Sequence, residues 1–268
     1  MQPAAEAAAD KMILKRAGAI AEIMINNPAR HNAVSLDMWQ RLIAFLRELE
    51  SDPGVRVLIV TGVGDKAFAA GADISRFESE RAGLEATRKY NAVAGEATER
   101  LYNFPRPTIA RIHGYCIGGG LNIAACCDIR IATVKATFAI PAARLGLGYG
   151  YAGVKRLAEI VGLPVAMELF YTARRLTAEE ASRLGLLNRV VEINELDDAV
   201  AEMARTICEN APLTIATIKA IARELGRPSA ARDMARIEQM VEACFASNDY
   251  AEGRLAFMEK RKPNFTGT

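Results

Sequence analysis

Hydrophobic residues along the chain change spacing repeatedly, which predicts strands alternating with helices. Residues 12–16 and 19–26 are β-rich runs on either side of a glycine turn, a pattern typical of a hairpin. After Ser35, apolar residues recur every three or four positions until an Asp-Pro-Gly sequence ends the run, which predicts a helix. Residues 55–60 are continuously apolar and are predicted to form a buried strand.

The rest of the chain predicts a mixed α/β region followed by helices. The further elements predicted are a helix over 79–101, strands over 108–113, 128–133 and 186–191, a glycine-rich loop over 138–153, and helices over 157–173 and 177–185. From about Asn194 the pattern is helical throughout. We therefore predict an α/β core over 12–193, a helical region over 194–268, and a disordered tail over 1–11.

Composition limits the functions open to the chain. Of 268 residues, 51% are hydrophobic, enough for a large core, and the net charge of +2 leaves no basic surface for nucleic acid or membrane. The five cysteines form no Cys-x-x-Cys pair, and the first ten residues lack the apolar stretch of a signal peptide. These features predict a soluble, cytoplasmic protein that is long enough to be an enzyme.

Two glycine-bearing segments carry the strongest chemical signal. The first is Ala69-Ala70-Gly71-Ala72-Asp73, and the second runs from Gly114 to Asn122 with three consecutive glycines. Each is predicted to follow a strand, and the second also begins a helix, where backbone N–H groups are unpaired and the dipole is positive. Glycine lets a ligand carbonyl approach such a backbone closely.

Either segment alone is more typical of a close-packed turn between a strand and a helix. The pair is more informative, because successive strand-to-helix junctions place their loops at the same edge of a sheet. The two segments together therefore predict an oxyanion hole.

At these motifs the sequence resembles the enoyl-CoA hydratase/isomerase (crotonase) superfamily, from about residue 12 to the end of the chain. The motifs that carry the resemblance are the segments 68–74 and 113–120, residues 128–132, Leu145-Gly146-Leu147, 181–190 and 259–265. The resemblance implies a ββα spiral core, a C-terminal α-helical trimerisation region, a homotrimer or a hexamer of two trimers, and an acyl-CoA substrate. It implies no metal and no cofactor apart from the coenzyme A of the substrate.

The resemblance also assigns residues to the site. Ala72 and Gly119 correspond to the two backbone donors to the thioester oxygen. The residues that correspond to contacts with coenzyme A are Arg30, Ala70, Asp73, Ile74, Lys260 and Lys262. The basic cluster that holds the two lysines is also typical of a solvated helix end.

The sequence departs from the hydratase pattern at both acid/base positions. Hydratases of the superfamily have one glutamate after the glycine triplet and one after a later proline, and here these positions hold Asn122 and Ala142. Asparagine and alanine exchange no proton near neutral pH. Each lost acid or base costs roughly 10² to 10⁴ in rate, so ordinary hydration is expected to be weak or absent.

Decarboxylation fits the altered site, because loss of CO₂ from a malonyl-type thioester forms the enolate without a protein base. Tyr149 replaces the usual proline of a Pro-Gly turn, and the methylmalonyl-CoA decarboxylase branch is similar in having tyrosine there. That branch often has histidine at the position of Ala72. We predict that Tyr149 and Asn122 orient the carboxylate. The alternatives are a hydratase/isomerase with unconventional acid/base residues, and a non-catalytic scaffold that binds acyl-CoA.

Other candidate residues carry weaker signals. Arg144 could clamp a carboxylate but more often points outward, and Glu85, Glu96 and Glu99 could supply a carboxylate but are typical of a solvated helix. Residues 148–153 match Gly-x-Gly-x-x-Gly without a preceding buried strand, which argues against a dinucleotide site. The two histidines, His31 and His113, are far apart and predict no metal site.

Overall fold

A computed structural model describes residues 10–268, and nearly all of the predicted tail over 1–11 lies outside the described residues. The described strands are β1 (Met12–Ala17), β2 (Ile20–Ile25), β3 (Val57–Gly62), β4 (Ala67–Ala69), β5 (Thr108–Ile112), β6 (Tyr115–Ile117), β7 (Ile129–Thr133), β8 (Thr137–Ala139), β9 (Leu176–Thr177) and β10 (Arg189–Val191). The described helices are α1 (Leu36–Glu50), α2 (Phe77–Glu80), α3 (Gly83–Tyr102), α4 (Gly119–Cys126), α5 (Tyr151–Val161), α6 (Leu163–Thr172), α7 (Ala178–Arg183), α8 (Leu196–Cys208), α9 (Pro212–Leu225), α10 (Met234–Phe245) and α11 (Asn248–Glu259).

The strands form two sheets that the chain visits in turn. The larger sheet has the order β1-β2-β3-β5-β7-β10 and the smaller has the order β4-β6-β8-β9. Three times in succession, a strand of the larger sheet leads directly to a short strand of the smaller sheet and then to a helix. All pairings are parallel except β1 with β2 and β8 with β9. This repeat is the ββα spiral that the resemblance to the superfamily implied.

Burial on both faces explains the continuous apolar run of β3. Leu58 and Val60 pack into the main core with α1 and α4, whereas Val57 and Ile59 face the opposite way and pack against α8. Strands enclosed on two sides need apolar residues at every position. Because α8 covers the second face of the larger sheet, the first helix after β10 packs on the α/β core. The predicted boundary at residue 194 stays a prediction.

The structure confirms most predicted elements and corrects several ends. The predicted helix over 79–101 is two helices, since α2 ends at Glu80 and α3 begins at Gly83, which has a positive φ of 81°. Helix α5 begins at Tyr151, six residues before the predicted start and inside the segment predicted as a glycine-rich loop. The segment predicted as a loop over 138–153 also holds the end of β8 and a 3-10 turn, Pro141–Leu145. The final strand is only three residues long.

Candidate active site

The two glycine-bearing segments lie side by side at one edge of the smaller sheet. β4 and β6 are parallel neighbours, with Ala67 paired to Tyr115 and Ala69 paired to Cys116. Their carboxyl ends therefore point in the same direction, as the sequence predicted. The loop after β4 and the first residue of α4 meet where these strands end.

The two segments approach so closely that one contact requires glycine. A β-carbon on Gly120 would lie 2.1 Å from the carbonyl oxygen of Ala69, which no real side chain tolerates. A β-carbon on Gly71 would lie 3.3 Å from the Gly119 nitrogen, and one on Gly119 would lie 3.7 Å from the Ala72 nitrogen. The nitrogen atoms of Ala72 and Gly119 are therefore close neighbours across the junction.

Backbone hydrogen bonds fix the first loop from behind. The N–H of Val34 donates to the Gly71 carbonyl over 2.8 Å, and the N–H of Asp73 donates to the Val34 carbonyl over 3.1 Å. These two bonds hold the residues on either side of Ala72. The loop is thereby fixed without using the Ala72 N–H.

The backbone N–H groups of Ala72 and Gly119 donate to no acceptor within residues 10–268. Gly119 is the first residue of α4, where a helix leaves its N–H groups unpaired and presents the positive end of its dipole. Two such donors side by side can bind a single oxygen. They favour most strongly an oxygen that gains negative charge during a reaction.

Both N–H groups adjoin a cavity of about 310 Å³. Its walls come from the loop after β4, from α3, from the start of α4, from the 3-10 turn after β8 and from the first turns of α5. Among the described residues that line it there is no aspartate and no glutamate, but there are two arginines, Arg81 and Arg156. The cavity is therefore positively charged.

Asn122 and Ala142 both line this cavity, at the positions where glutamate would be expected in a hydratase. The Oδ1 atom of Asn122 is buried and has no hydrogen-bond donor in the described part of the chain. A buried polar atom without a partner is rare and costly in a folded protein. Asn122 Oδ1 can therefore accept a hydrogen bond from a ligand, whereas a carboxylate could be bound only through the Nδ2 amide group.

Tyr149 lies next to Asn122 in the cavity wall. The β-carbon position of Gly153 is 3.3 Å from Asn122 Oδ1 and 2.5 Å from ring carbon Cε1 of Tyr149. Phe170 packs edge-on against the tyrosine, with ring centroids 4.9 Å apart. Burial raises the pKa of Tyr149 well above its usual value, so its hydroxyl stays protonated at neutral pH and can act as a hydrogen-bond donor.

The two arginines of the cavity were not singled out by sequence reasoning. Arg156 forms an ion pair with Glu99 and stacks over Tyr102 at 4.7 Å. Arg81 stacks over Tyr90, with its guanidinium carbon 3.8 Å from the ring centroid. No local signal marks either residue, because both lie in stretches where charged side chains are typical of solvent-exposed positions.

Of the residues near the first loop that were predicted to contact coenzyme A, some line the cavity and others do not. Ala70 and Ile74 line the cavity, and Ile74 is 60% exposed. Asp73 does not line it: the Asp73 carboxylate accepts hydrogen bonds from the N–H of Ser75 over 3.1 Å and from its hydroxyl over 2.6 Å. Arg30 is exposed and lies outside the lining. Contact of these residues with coenzyme A stays a prediction.

The two C-terminal lysines also lie outside the cavity lining. Lys260 and Lys262 are exposed, and Lys262 Nζ is 3.7 Å from a carboxylate oxygen of Glu209. Their charges are available at the surface. Whether they meet a coenzyme A phosphate stays a prediction.

The weaker candidates fall outside the site. Arg144 is exposed and outside the lining, and of the three helix glutamates Glu96 pairs with Arg47 over 2.8 Å, while Glu85 is exposed. The Gly-x-Gly-x-x-Gly segment follows a 3-10 turn instead of a strand, so it is not the βαβ unit of a dinucleotide site. No group of three metal-ligating side chains occurs among the described residues.

Fold and site together define a spiral α/β core in which two loops present backbone N–H groups to one cavity. The model of the enoyl-CoA hydratase/isomerase family matches residues 15–268, and the chain belongs to this family, whose enzymes act on acyl-CoA. No helix in residues 10–268 has both the length and the apolarity to cross a bilayer.

Relatives with different activities match this chain, and the matches to enoyl-CoA hydratases are stronger than the match to a methylmalonyl-CoA decarboxylase. A crotonyl-CoA hydratase of Syntrophomonas wolfei is 37% identical, over 96% of this chain and 98% of its own length. A methylmalonyl-CoA decarboxylase of Escherichia coli K12 is 36% identical, over 92% of this chain and 95% of its own. A crystal structure of an enoyl-CoA hydratase/carnithine racemase from Magnetospirillum magneticum superposes with a TM-score of 0.90, at 36% identity and 97% and 96% coverage.

Proposed function

We propose that this chain is an acyl-CoA lyase that removes CO₂ from a malonyl-type thioester. The N–H groups of Ala72 and Gly119 would hold the thioester oxygen. The observation that carries the proposal is that two unpaired backbone N–H groups share a cavity with neutral residues at both acid/base positions. One hydrogen-bond donor of such a hole is worth roughly 2.7 to 4 kcal/mol of transition-state stabilisation.

The proposed step needs no protein base. The bond between the α-carbon and its carboxylate breaks, and its electron pair forms a double bond to the thioester carbon. The carbonyl electrons move onto the oxygen, giving an enolate held by the two N–H groups, and CO₂ leaves. The α-carbon then takes a proton that comes ultimately from water, and the thioester carbonyl forms again.

Tyr149 and Asn122 suit the leaving carboxylate because they are neutral. A charged partner would stabilise the carboxylate in the bound substrate and lose that interaction as CO₂ forms, which raises the barrier. A protonated tyrosine hydroxyl and an amide orient the carboxylate with a weaker hydrogen bond. The raised pKa of Tyr149, caused by burial, keeps this donor protonated.

Hydration or isomerisation is the second candidate, and the similarity to a crotonyl-CoA hydratase favours it. It requires another acid or base, and no carboxylate among the described residues lines the cavity. Glu99, which the sequence offered as a possible source of a carboxylate, forms an ion pair with Arg156. A non-catalytic scaffold is the third candidate, which would bind CoA esters and leave them unchanged. We retain the expectation of a cytoplasmic homotrimer or dimer of trimers.

Mass spectrometry of wild type with crotonyl-, methylmalonyl- and ethylmalonyl-CoA tests the proposal. We expect loss of CO₂ from the malonyl-type esters and little hydration of crotonyl-CoA. Robust hydration of crotonyl-CoA would contradict the proposal. If all three substrates stayed unchanged, the non-catalytic scaffold would be the remaining candidate.

A pair of variants tests the role of Tyr149 within the same assay. Tyr149→Phe should slow decarboxylation about tenfold, the effect of one neutral hydrogen bond. Tyr151→Phe is the matched control, because Tyr151 lies two residues further along the chain and is 82% exposed. Equal rates in the two variants would remove Tyr149 from the mechanism.

A further inference from the structure

Arg81 is the one cavity side chain whose charge the fold leaves without a counter-ion. Within residues 10–268 it forms no ion pair, and its buried Nε atom has no hydrogen-bond acceptor. Arg156, the other arginine of the cavity, is paired with Glu99. A half-buried guanidinium without an anion is unusual, since buried charges are normally paired.

The nearest acid along the chain is already engaged. The Glu80 carboxylate accepts a hydrogen bond from the Leu36 N–H over 3.0 Å and lies 3.3 Å from Nη1 of Arg76. Glu80 therefore does not neutralise Arg81. The positive charge of Arg81 remains available to whatever enters the cavity.

Two aromatic rings hold the Arg81 guanidinium in place. Its central carbon is 3.8 Å from the ring centroid of Tyr90 and 4.6 Å from that of Phe77. Tyr90 is itself fixed, because its hydroxyl accepts from Trp39 Nε1 over 2.9 Å and donates to the Val34 carbonyl over 3.1 Å. Stacking leaves the edge of a guanidinium free, and that edge binds carboxylates through two parallel hydrogen bonds.

Val34 connects Arg81 with the oxyanion loop. The Val34 carbonyl accepts a hydrogen bond from the Tyr90 hydroxyl, and the Val34 N–H donates to the Gly71 carbonyl over 2.8 Å, directly beside Ala72. Arg81 and the two N–H donors therefore belong to one rigid framework around one cavity. The cavity volume of about 310 Å³ corresponds to roughly ten water molecules at ~30 Å³ each, which leaves room for an acyl chain between the two.

We propose that Arg81 binds a carboxylate at the far end of the acyl group, so that the cavity selects CoA esters of dicarboxylic acids. This carboxylate is one that the substrate keeps, because a guanidinium pair with a leaving carboxylate would oppose CO₂ loss. A substrate of the proposed decarboxylation that also used Arg81 would therefore carry two free carboxylates, one lost as CO₂ and one retained. The inference rests on the proposed function for its acyl-CoA ligand, but it does not depend on decarboxylation.

Equilibrium binding of matched CoA esters tests the inference. Glutaryl- and valeryl-CoA have the same carbon count and differ in a terminal carboxylate against a methyl group, and succinyl- and butyryl-CoA form a shorter pair. Neither dicarboxylic ester can lose CO₂ through a thioester enolate. We expect wild type to bind the dicarboxylic member of at least one pair about tenfold to a hundredfold more tightly, the range for a charged hydrogen-bonded pair.

Variants at Arg81 separate recognition from a structural role. Arg81→Gln should abolish the preference while leaving valeryl-CoA affinity within about twofold, and Arg81→Lys should retain part of it, since lysine keeps the charge without the fork. Arg88→Gln is the matched control, because Arg88 lies on the same stretch, is exposed and is outside the lining. No preference in wild type, or equal weakening of both esters in Arg81→Gln, would overturn the inference.

The binding result and the reaction can fail separately. A wild type that prefers glutaryl-CoA but leaves methylmalonyl-CoA intact keeps the role of Arg81 and ends the proposed decarboxylation. If wild type decarboxylates methylmalonyl-CoA but does not prefer glutaryl-CoA over valeryl-CoA, the proposed decarboxylation stands and the role of Arg81 is ruled out.

Discussion

The cavity has a backbone end and a side-chain end, and they differ in how strongly the fold constrains them. At the backbone end, Gly120 lies against the Ala69 carbonyl and admits no side chain. At the side-chain end, Asn122, Ala142 and Tyr149 project from elements that would accept other residues. The fold therefore fixes the position of the two backbone donors, whereas the side chains that line the rest of the cavity are open to exchange.

The largest effect is expected from removing a donor at the backbone end. Gly119→Pro deletes one N–H at the first position of α4, where proline is compatible with a helix. We expect kcat to fall about 10²-fold to 10³-fold, the cost of one oxyanion donor, with little change in the thermal midpoint. Steady-state kinetics and a melting curve measure both quantities, and a fully active variant would show that Gly119 is not a donor.

A smaller effect is expected from adding charge at the side-chain end. Asn122→Asp preserves shape but introduces a carboxyl group beside the proposed position of the leaving carboxylate. We expect kcat/KM for methylmalonyl-CoA to fall about tenfold to a hundredfold, and the loss to grow as pH rises and the introduced group ionises. Kinetics between pH 5 and 8 would check this, with crotonyl-CoA affinity as the neutral control. A variant as active as wild type would place the carboxylate elsewhere.

The backbone end was predictable from sequence because Gly71 and the glycines at 118–120 indicate places where the backbone is closely approached. The meeting of the two segments at one sheet edge was expected from the order of strands and helices, but β4 and β6, the short strands of a second sheet that bring them together, were not predicted. The side-chain end was only partly predictable. Asn122 and Tyr149 were found through their positions in family motifs, but Arg81 was missed because its isolation from acids is a three-dimensional property.

The predicted helix ends were least accurate at the side-chain end. The break between α2 and α3, which places Arg81 at the cavity, lies inside a stretch whose charged pattern predicts one continuous helix. The early start of α5 was hidden by Gly148, Gly150 and Gly153, which are typical of a loop. In both places a glycine that stands at a helix start does not by its identity alone show whether it ends a helix, begins one or belongs to a loop.

The smallest effect on activity is expected from the cysteines buried behind the backbone end, which make the stability of the fold depend on pH. Burial raises the pKa of Cys126 to about 11, and it raises the pKa of Cys116 and Cys127 in the same direction. The folded state keeps these protons to higher pH than the unfolded chain, whose thiols titrate near ~8.5. The stability they contribute is therefore complete below that pH and is lost as pH rises toward the folded values.

Urea unfolding at pH 8, 9 and 10 measures this loss. We expect the free energy of unfolding to decrease by about 1.4 kcal/mol per pH unit for each buried thiol above pH 9. Cys126→Ala should reduce the loss of unfolding free energy per pH unit by the contribution of one thiol. A stability that does not change with pH would show that α4 is more accessible to water than its packing indicates.

The central claim is that the oxyanion hole persists while the reaction has changed from hydration to decarboxylation. The most direct measurement gives wild type equal amounts of crotonyl-CoA and methylmalonyl-CoA labelled with ¹³C in the free carboxylate, in one reaction. The account predicts labelled CO₂, unlabelled propionyl-CoA and unchanged crotonyl-CoA. Hydroxybutyryl-CoA beside intact methylmalonyl-CoA would contradict it.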